Sequence, residues 1–414
     1  MTTGRVVVVG GGHAGAALAG LLRQGGYDGE ITVLSAETDP PYHRPPLSKK
    51  FTDAALEQWL RPAEFWPEQR IDLRLGTTAT AIDRRRHRVE LAGGGSLDYD
   101  HLVLATGARP RELPVPGADL DGVIGLRTLS HARELRRLAG AGSGHLVIIG
   151  GGYIGLEVAA VARSAGTEVT VLERESRLLA RVASDRLSEI LARYHSRAGT
   201  RVVTRADVAG FVGEAGRVRA VRLGDGSEIA CDAVLVGVGA VPADELAVAA
   251  GLGCEQGVLV DECARTSDPK VLAIGDVTRR PVLGLDGLRR LESIPSGTEQ
   301  ARQACSVVLG TAAPAPEVPW FWSDQNDLKI KIAGVVVPGT AVVLRGSPDE
   351  GRFALYHHVG GVVTAAETAN APADFMAAKK FIAAGSRIDP ALLADLSVRV
   401  QDAVLTSEEA SCPP

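Results

Sequence analysis

The chain has 414 residues, of which 45% are hydrophobic and 23% charged, with a formal net charge of −5. That length sets an expectation of two to three domains, and the composition allows large cores and excludes wholesale disorder. The mildly acidic balance excludes a global electrostatic pull toward nucleic acid.

Residues 1–5 lead straight into Val6-Val7-Val8-Val9 and a glycine run, so no secretory leader is expected. No stretch reaches about 18 uninterrupted apolar residues, so no membrane span is expected and a cytoplasmic protein is the default. Residues 5–15 read RVVVVGGGHAG, and residues 145–155 read HLVIIGGGYIG. Each is a buried β-branched run followed by Gly-x-Gly-x-x-Gly, then an apolar helical segment (16–22 and 156–165) and a second strand (31–35 and 169–173). This strand–turn–helix–strand unit of a dinucleotide fold is written twice. A further strand closes each unit, at 100–107 and at 231–239, and proline-rich crossings at 109–117 and 241–242 imply that the second module is inserted within the first.

From about Pro314 the composition changes. Trp320-Phe321-Trp322, strand-like runs at 335–337 and 341–344, and helical segments at 375–384 and 391–396 suggest a separate α+β domain. The expected fold class is therefore α/β: two Rossmann-like dinucleotide-binding domains, one inserted in the other, plus a C-terminal α+β domain. The expected division is 1–113 with 244–316 for the first domain, 114–243 for the second and 317–414 for the third.

In Gly10-x-Gly12-x-x-Gly15 and Gly150-x-Gly152-x-x-Gly155 the first glycine allows a tight turn, the second lets a pyrophosphate approach the backbone, and the third lets helix and strand pack closely. The phosphates then meet a helix N-terminus, where free N–H groups and the macrodipole favour negative charge. Glu173 ends the second unit's second strand, where a carboxylate accepts hydrogen bonds from both adenosine ribose hydroxyls and repels a 2′-phosphate, which favours NADH over NADPH. Arg174 and Arg177 stand close by and work against that preference. In the first unit the matching position is Ser35, and Glu37 is the candidate for the other ribose. Two pyrophosphate sites point to two dinucleotides, and FAD with NAD(P)H is the natural pair for hydride transfer.

Several segments together resemble the ferredoxin reductases that serve cytochrome P450 and Rieske-type oxygenase systems, of the putidaredoxin reductase and biphenyl dioxygenase reductase kind within the glutathione reductase superfamily. They are Pro41-Tyr-His-Arg-Pro-Pro-Leu-Ser-Lys49, Leu102-Val-Leu-Ala-Thr-Gly-Ala-Arg109, Gly150-Gly-Gly-Tyr-Ile-Gly-Leu-Glu157, Gly237-Val-Gly-Ala-Val-Pro242, Val271-Leu-Ala-Ile-Gly-Asp276, Arg290-Leu-Glu-Ser293 and Trp320-Phe-Trp-Ser-Asp-Gln325. The resemblance spans nearly the whole chain. It implies that Lys49 stands beside the flavin, that Glu157 pairs with that lysine near the nicotinamide, and that Asp276 accepts from the ribityl chain of FAD. It adds Arg44, Thr106, Arg109 and Trp320 to the FAD side, and Ile154 and Gly239 to the coenzyme side. Ile294-Pro-Ser-Gly297 stands where members carry Val-x-Asn-Ala, and Lys331 where a glutamine is usual.

The five cysteines, Cys231, Cys254, Cys263, Cys305 and Cys412, are scattered, and no pair has C-x-x-C spacing. That argues against a disulfide framework, a zinc site or an iron–sulfur cluster. It also removes the redox cysteine pair that disulfide reductases of the superfamily carry after the first unit. The resemblance then implies electron delivery from NADH, one electron at a time, to a small iron–sulfur ferredoxin that feeds a P450 or Rieske-type oxygenase. Arg302, Lys329 and Lys331 are candidates for steering that acidic, transient partner. Direct reduction of oxygen, a quinone or another small acceptor, or a flavin–NADH sensor of the apoptosis-inducing-factor kind, are the other readings of the same two loops. No nucleic acid, membrane or metal is expected.

Overall fold

The computed structural model describes residues 4–405 apart from 141 and 143. Cys412 lies outside the described residues. The chain forms two compact units: Met1–His43 with Glu57–Arg109 and Ala240–Pro319, and Arg44–Leu56 with Pro110–Gly239 and Trp320–Pro414.

The first unit is built on a five-stranded sheet in the spatial order Val271–Ala273, His101–Leu104, Arg5–Val9, Glu30–Leu34, Ile71–Arg74. All neighbours run parallel, with Val8 opposite Val33 and Val103. Val6, Val7, Val8 and Val9 are all buried, as a strand covered on both faces requires. The helices His13–Gln24 and Ile294–Leu309 pack together, their Leu18, Leu22 and Val308 in one core with Val6, Val8 and Ile274. Ser293 caps the second of these, its Oγ accepting from Ser296 N at 3.2 Å.

The second unit repeats the plan. Its parallel sheet runs Arg201–Thr204, Glu168–Glu173, His145–Ile149, Ala233–Val236, Val123–Gly125. The helix Tyr153–Ser164 follows the central strand. In the same unit a five-stranded antiparallel sheet runs Trp320–Gln325, Leu328–Gly334, Val362–Ala369, Arg352–Val359, Ala341–Ser347. Strand alternation gives this sheet two faces. Trp320, Tyr356 and Ala366 pack on one face with Phe375 and Phe381 of the helix Pro372–Ala384. Phe321, Ser323, Gln325 and Glu367 belong to the other, where Ser323 and Gln325 bond Glu157 and His195.

Several sequence-based elements differ in extent; the helix expected at 375–384 starts at Pro372, and the strand expected at 341–344 runs on to Ser347. Residues 335–337 are β-branched, yet form no strand: Gly334 takes φ +74 at the strand end, and the chain turns out through Pro338-Gly339. The last helical segment is Pro390–Ala394, starting one residue earlier and ending two earlier than expected, with Asp389 accepting from Ala391 N and Leu392 N. No helix among the described residues is long and apolar enough to cross a membrane.

A buried ion pair joins the start of the helix Ile294–Leu309 to the strand Thr278–Val282: Arg280 Nη2 donates to Glu299 Oε2 at 2.6 Å, with both side chains about 5% exposed. Glu299 Oε1 also accepts from Glu317 N at 2.9 Å. Removing one partner leaves an uncompensated buried charge, so Glu299→Ala is expected to cost about 3 kcal/mol or more in urea unfolding. A loss below about 1 kcal/mol would show that the pair is not what anchors this helix.

Candidate cofactor sites and the buried carboxylate

The two glycine loops share one geometry. Gly10 (φ +122) and Gly150 (φ +106) lie so close to the next strand's end that a Cβ would overlap the carbonyl oxygens of Ala105 and Gly237. A Cβ on Gly15 or Gly155 would overlap the carbonyl of the first glycine of its own loop. Gly12 and Gly152, by contrast, have open space where a side chain would stand. Each helix thus begins behind an unobstructed glycine with no side-chain cap on its first N–H groups, the donor set that a pyrophosphate needs. Both loops fit a dinucleotide.

Around the first loop, three segments of one unit converge. A Cβ on Gly275 would sit 3.2 Å from Ala14 Cβ, and one on Gly297 would sit 3.5 Å from the same atom. Asp276 is thereby held, in the turn Gly275–Val277, beside the start of the first helix. At Gly297 a Cβ would make only ordinary van der Waals contact, so nothing in the structure requires glycine where the family pattern has alanine. Ser296, its neighbour, is buried, and its Oγ accepts from Arg280 Nη2 at 3.2 Å. Thr106 Oγ1 donates to Ala243 O at 2.6 Å. Glu37 Oε2 accepts from Tyr42 Oη at 2.5 Å, which fixes its carboxylate at the end of the second strand. Arg109 pairs with Glu245 and is exposed.

Around the second loop, Glu173 accepts from Gly151 N at 2.7 Å and from Glu175 N at 2.8 Å. Its carboxylate is thus oriented by the loop itself. Arg177 is turned into structural work, donating to Ala180 O, Ala183 O and Ser188 Oγ and pairing with Asp185 at 2.7 Å. Arg174 is exposed. Ile154 is 50% exposed on the first turn of the loop's helix, an open apolar surface beside Gly152. Gly239 takes φ +107 under Arg181, whose Nη2 lies 3.2 Å from where a Cβ would be.

Lys49 and Glu157, 108 residues apart, are brought together. The short helix Pro46–Lys49 packs on the helix Tyr153–Ser164, and Lys49 Nζ donates to Glu157 Oε1. Glu157 is 2% exposed, and it also accepts from Ser48 Oγ and Ser323 Oγ, both at 2.5 Å. A carboxylate so buried is tolerable only because these donors replace water. Ser48 and Ser323 lie inside segments that carry the resemblance, but nothing in the sequence marks them as partners of one carboxylate. One turn before Glu157, Tyr153 packs its ring edge-on to Phe321 at 5.0 Å. Its buried hydroxyl has no hydrogen-bond partner among the described residues. Burial, with the Glu367 and Glu157 carboxylates adding to it, holds that phenol well above its ordinary range.

Other candidates are held by contacts of their own. Trp320 packs on Phe375 at 5.5 Å and Trp322 at 5.8 Å, with Lys379 Nζ over its ring. Arg44 Nη1 donates to Arg127 O at 2.6 Å. Lys329 pairs with Asp324 at 3.6 Å, Lys331 lies over the Phe375 ring, and Arg302 pairs with Glu317 in the other unit.

No cysteine precedes Cys231. Burial, with Asp232 adding to it, pushes the Cys231 thiol up to about 12, and burial raises Cys305. Neither forms a reactive thiolate near neutrality. Iodoacetamide applied to the native protein at about pH 8 is expected to leave both unmodified by mass spectrometry. Rapid alkylation of either would contradict their inert role.

Residues 4–304 match the family model described as pyridine nucleotide-disulphide oxidoreductase, and residues 320–404 match one described as reductase C-terminal. The chain is 45% identical to a probable ferredoxin reductase, CtmF, of Castellaniella defragrans, over 96% of this chain and 98% of that protein. It is 42% identical to rhodocoxin reductase of Rhodococcus erythropolis, over 94% and 92%. A crystal structure of the covalent putidaredoxin reductase–putidaredoxin complex matches with a TM-score of 0.93 at 38% identity, over 96% of this chain and 97% of that one. With both glycine loops and the reductase C-terminal sheet in place, the chain belongs to the pyridine nucleotide-disulphide oxidoreductase family, whose members are FAD-dependent.

Proposed function

We propose that this protein is an NADH-dependent ferredoxin reductase that binds FAD through its first glycine loop and NADH through its second. It passes electrons singly to a small iron–sulfur ferredoxin serving a P450 or Rieske-type oxygenase. The observation that carries this reading is the pairing of two dinucleotide cradles with a buried Lys49–Glu157 pair and no cysteine before Cys231. With no thiol to relay electrons, the acceptor must take them directly, and the relatives named above are reductases of redoxin proteins. The balanced reaction takes NADH and two oxidised ferredoxins to NAD⁺, one proton and two reduced ferredoxins.

In this reading residues 1–113 with 244–316 form the FAD module, 114–243 the NADH module, and 317–414 a partner-facing module. Gly10, Gly12, Gly15, Glu37, Arg44, Lys49, Thr106, Arg109, Asp276 and Trp320 serve FAD. Gly150, Gly152, Ile154, Gly155, Glu173 and Gly239 serve the pyridine nucleotide. Bound FAD supplies the exchange between two-electron and one-electron transfer. Lys49 contributes a cation fixed by Glu157, and a preorganised cation lowers the energy of negative charge that develops beside it. Glu157, in turn, keeps that ammonium from swinging to solvent. The loop-oriented carboxylate of Glu173, with Arg177 engaged elsewhere, favours NADH over NADPH. We assign the reaction to the cytoplasm, where NADH is supplied and scattered cysteines stay reduced.

Anaerobic stopped-flow mixing with NADH, then NADPH, followed by candidate ferredoxins, tests the whole reading. NADH is expected to bleach the flavin at least about ten-fold faster than NADPH, and an oxidised ferredoxin is then expected to restore its colour. Fast reduction by NADH with reoxidation by oxygen or a quinone, and by no ferredoxin, would sink it.

A further inference from the structure

The C-terminal sheet carries a fully buried carboxylate for which the reaction above gives no use. Glu367 is 0% exposed, in the middle of the strand Val362–Ala369, on the same face as Phe321 and Ser323. Its Oε1 accepts from the backbone N–H of Ser184 at 2.9 Å, and its Oε2 from Ser184 Oγ and from His357 Nε2, the latter at 3.0 Å. His357 Nδ1 lies 3.1 Å from Thr340 Oγ1. The carboxylate therefore has donors on both oxygens. It also faces the N-terminus of the helix Asp185–Arg197, where the macrodipole favours negative charge.

Ser184 is the hinge of the arrangement. Its hydroxyl caps the helix, accepting from Leu187 N at 3.1 Å, and it closes the segment 174–184 that comes after Glu173. The middle of that segment is tied to the second glycine loop: Leu179 N donates to Gly151 O at 3.0 Å, with Leu179 at φ +54. Leu178 packs so tightly there that a Cβ on Gly151 would overlap its side chain. Arg177 braces the interior of the segment through Ala180 O and Ala183 O. Arg181, within it, holds an exposed guanidinium over Gly239. The middle of the segment thus meets the glycine loop, and its last residue is clasped by a carboxylate 183 residues further along the chain.

We propose that Glu367 is a positioning residue for the pyridine nucleotide: through Ser184 it clamps segment 174–184 against the second glycine loop and so sets the places of Glu173 and Arg181. This rests on the reading of the second loop as the nucleotide site. It gives the C-terminal sheet a role in coenzyme binding besides any role in meeting a partner. A buried carboxylate contributes little to stability that an apolar residue would not supply. Both oxygens must accept here, Oε1 from Ser184 N and Oε2 from Ser184 Oγ and His357 Nε2, which neither an apolar nor an amide side chain can do.

The test uses the FAD-loaded full chain and ADP-ribose as the probe, titrated by calorimetry, so the readout does not depend on turnover. In Glu367→Gln the charge is lost with the shape kept, and the dissociation constant for ADP-ribose is expected to rise about ten-fold, as loss of a charge-assisted bond predicts. FAD content is expected to stay at the wild-type level, and KM for NADH to rise more than kcat falls. Should that variant fold poorly, Ser184→Ala reads the same clasp from its other end, with an expected weakening of about three-fold because the backbone donor survives. Unchanged ADP-ribose affinity in a folded, FAD-replete Glu367→Gln protein would overturn the proposal. So would a weakening that merely parallels loss of FAD. Failure of the wild-type protein to bind ADP-ribose would overturn instead the assignment of the second loop on which the proposal stands.

Discussion

A single carboxylate, Glu157, holds the second unit together chemically. It is 2% exposed, and its hydrogen bonds come from Ser48 and Lys49 at the end of a four-residue helix and from Ser323 on the first strand of the antiparallel sheet. Helix, strand and nucleotide fold come from three distant stretches of sequence, yet the first two must supply donors to the carboxylate of the third or leave its charge buried without compensation. That cost is several kcal/mol per unpaired ion, comparable to a large share of a domain's net stability. The short helix Pro46–Lys49 could not persist alone, since one turn makes too few bonds to offset its ordering entropy. Proline at its start and two side chains anchored on Glu157 give it a fixed position.

The two nucleotide folds show what a repeated motif does and does not determine. The positive φ of the first glycine, the open second and the close-packed third recur in both loops because backbone geometry dictates them. The acidic residues at the end of the second strand are supported differently. Glu37 is turned by Tyr42, whereas Glu173 is turned by the backbone of its own glycine loop. The same scaffold therefore presents two distinct acceptors, and ligand identity resides in these added groups and not in the fold.

Much of the architecture was legible because it is local. Four consecutive valines before a glycine run, and a similar β-branched run before the second, specify a strand covered on both faces and the turn that ends it. Lys49 and Glu157 were legible through the resemblance, since a carboxylate on the buried face of a glycine-loop helix is out of keeping with packing alone. The remaining partners were not. Ser48 and Ser323 sit in the very segments that carry the resemblance, but a hydroxyl's partner is a tertiary fact. Strand alternation puts Trp320 and Trp322 on one face and Phe321 and Ser323 on the other, and sequence cannot say which face meets the helix with Phe375. Residues 335–337 misled for the opposite reason: their β-branched run is locally persuasive, but the backbone has already turned at Gly334. Glu367 reads as an ordinary strand acid until the chain 183 residues earlier is brought to it.

If the charge on Glu157 is what fixes Lys49 for catalysis, the two side chains act as one unit, and residues acting as a unit are non-additive. The decisive measurement is the rate of flavin reduction by NADH in Glu157→Gln, Lys49→Met and the double variant, each loaded with FAD. The account predicts that either single change slows reduction by about ten-fold or more, and that the double variant is no slower than the worse single. Rates that multiply in the double variant, or a Glu157→Gln protein that is reduced as fast as wild type, would contradict it.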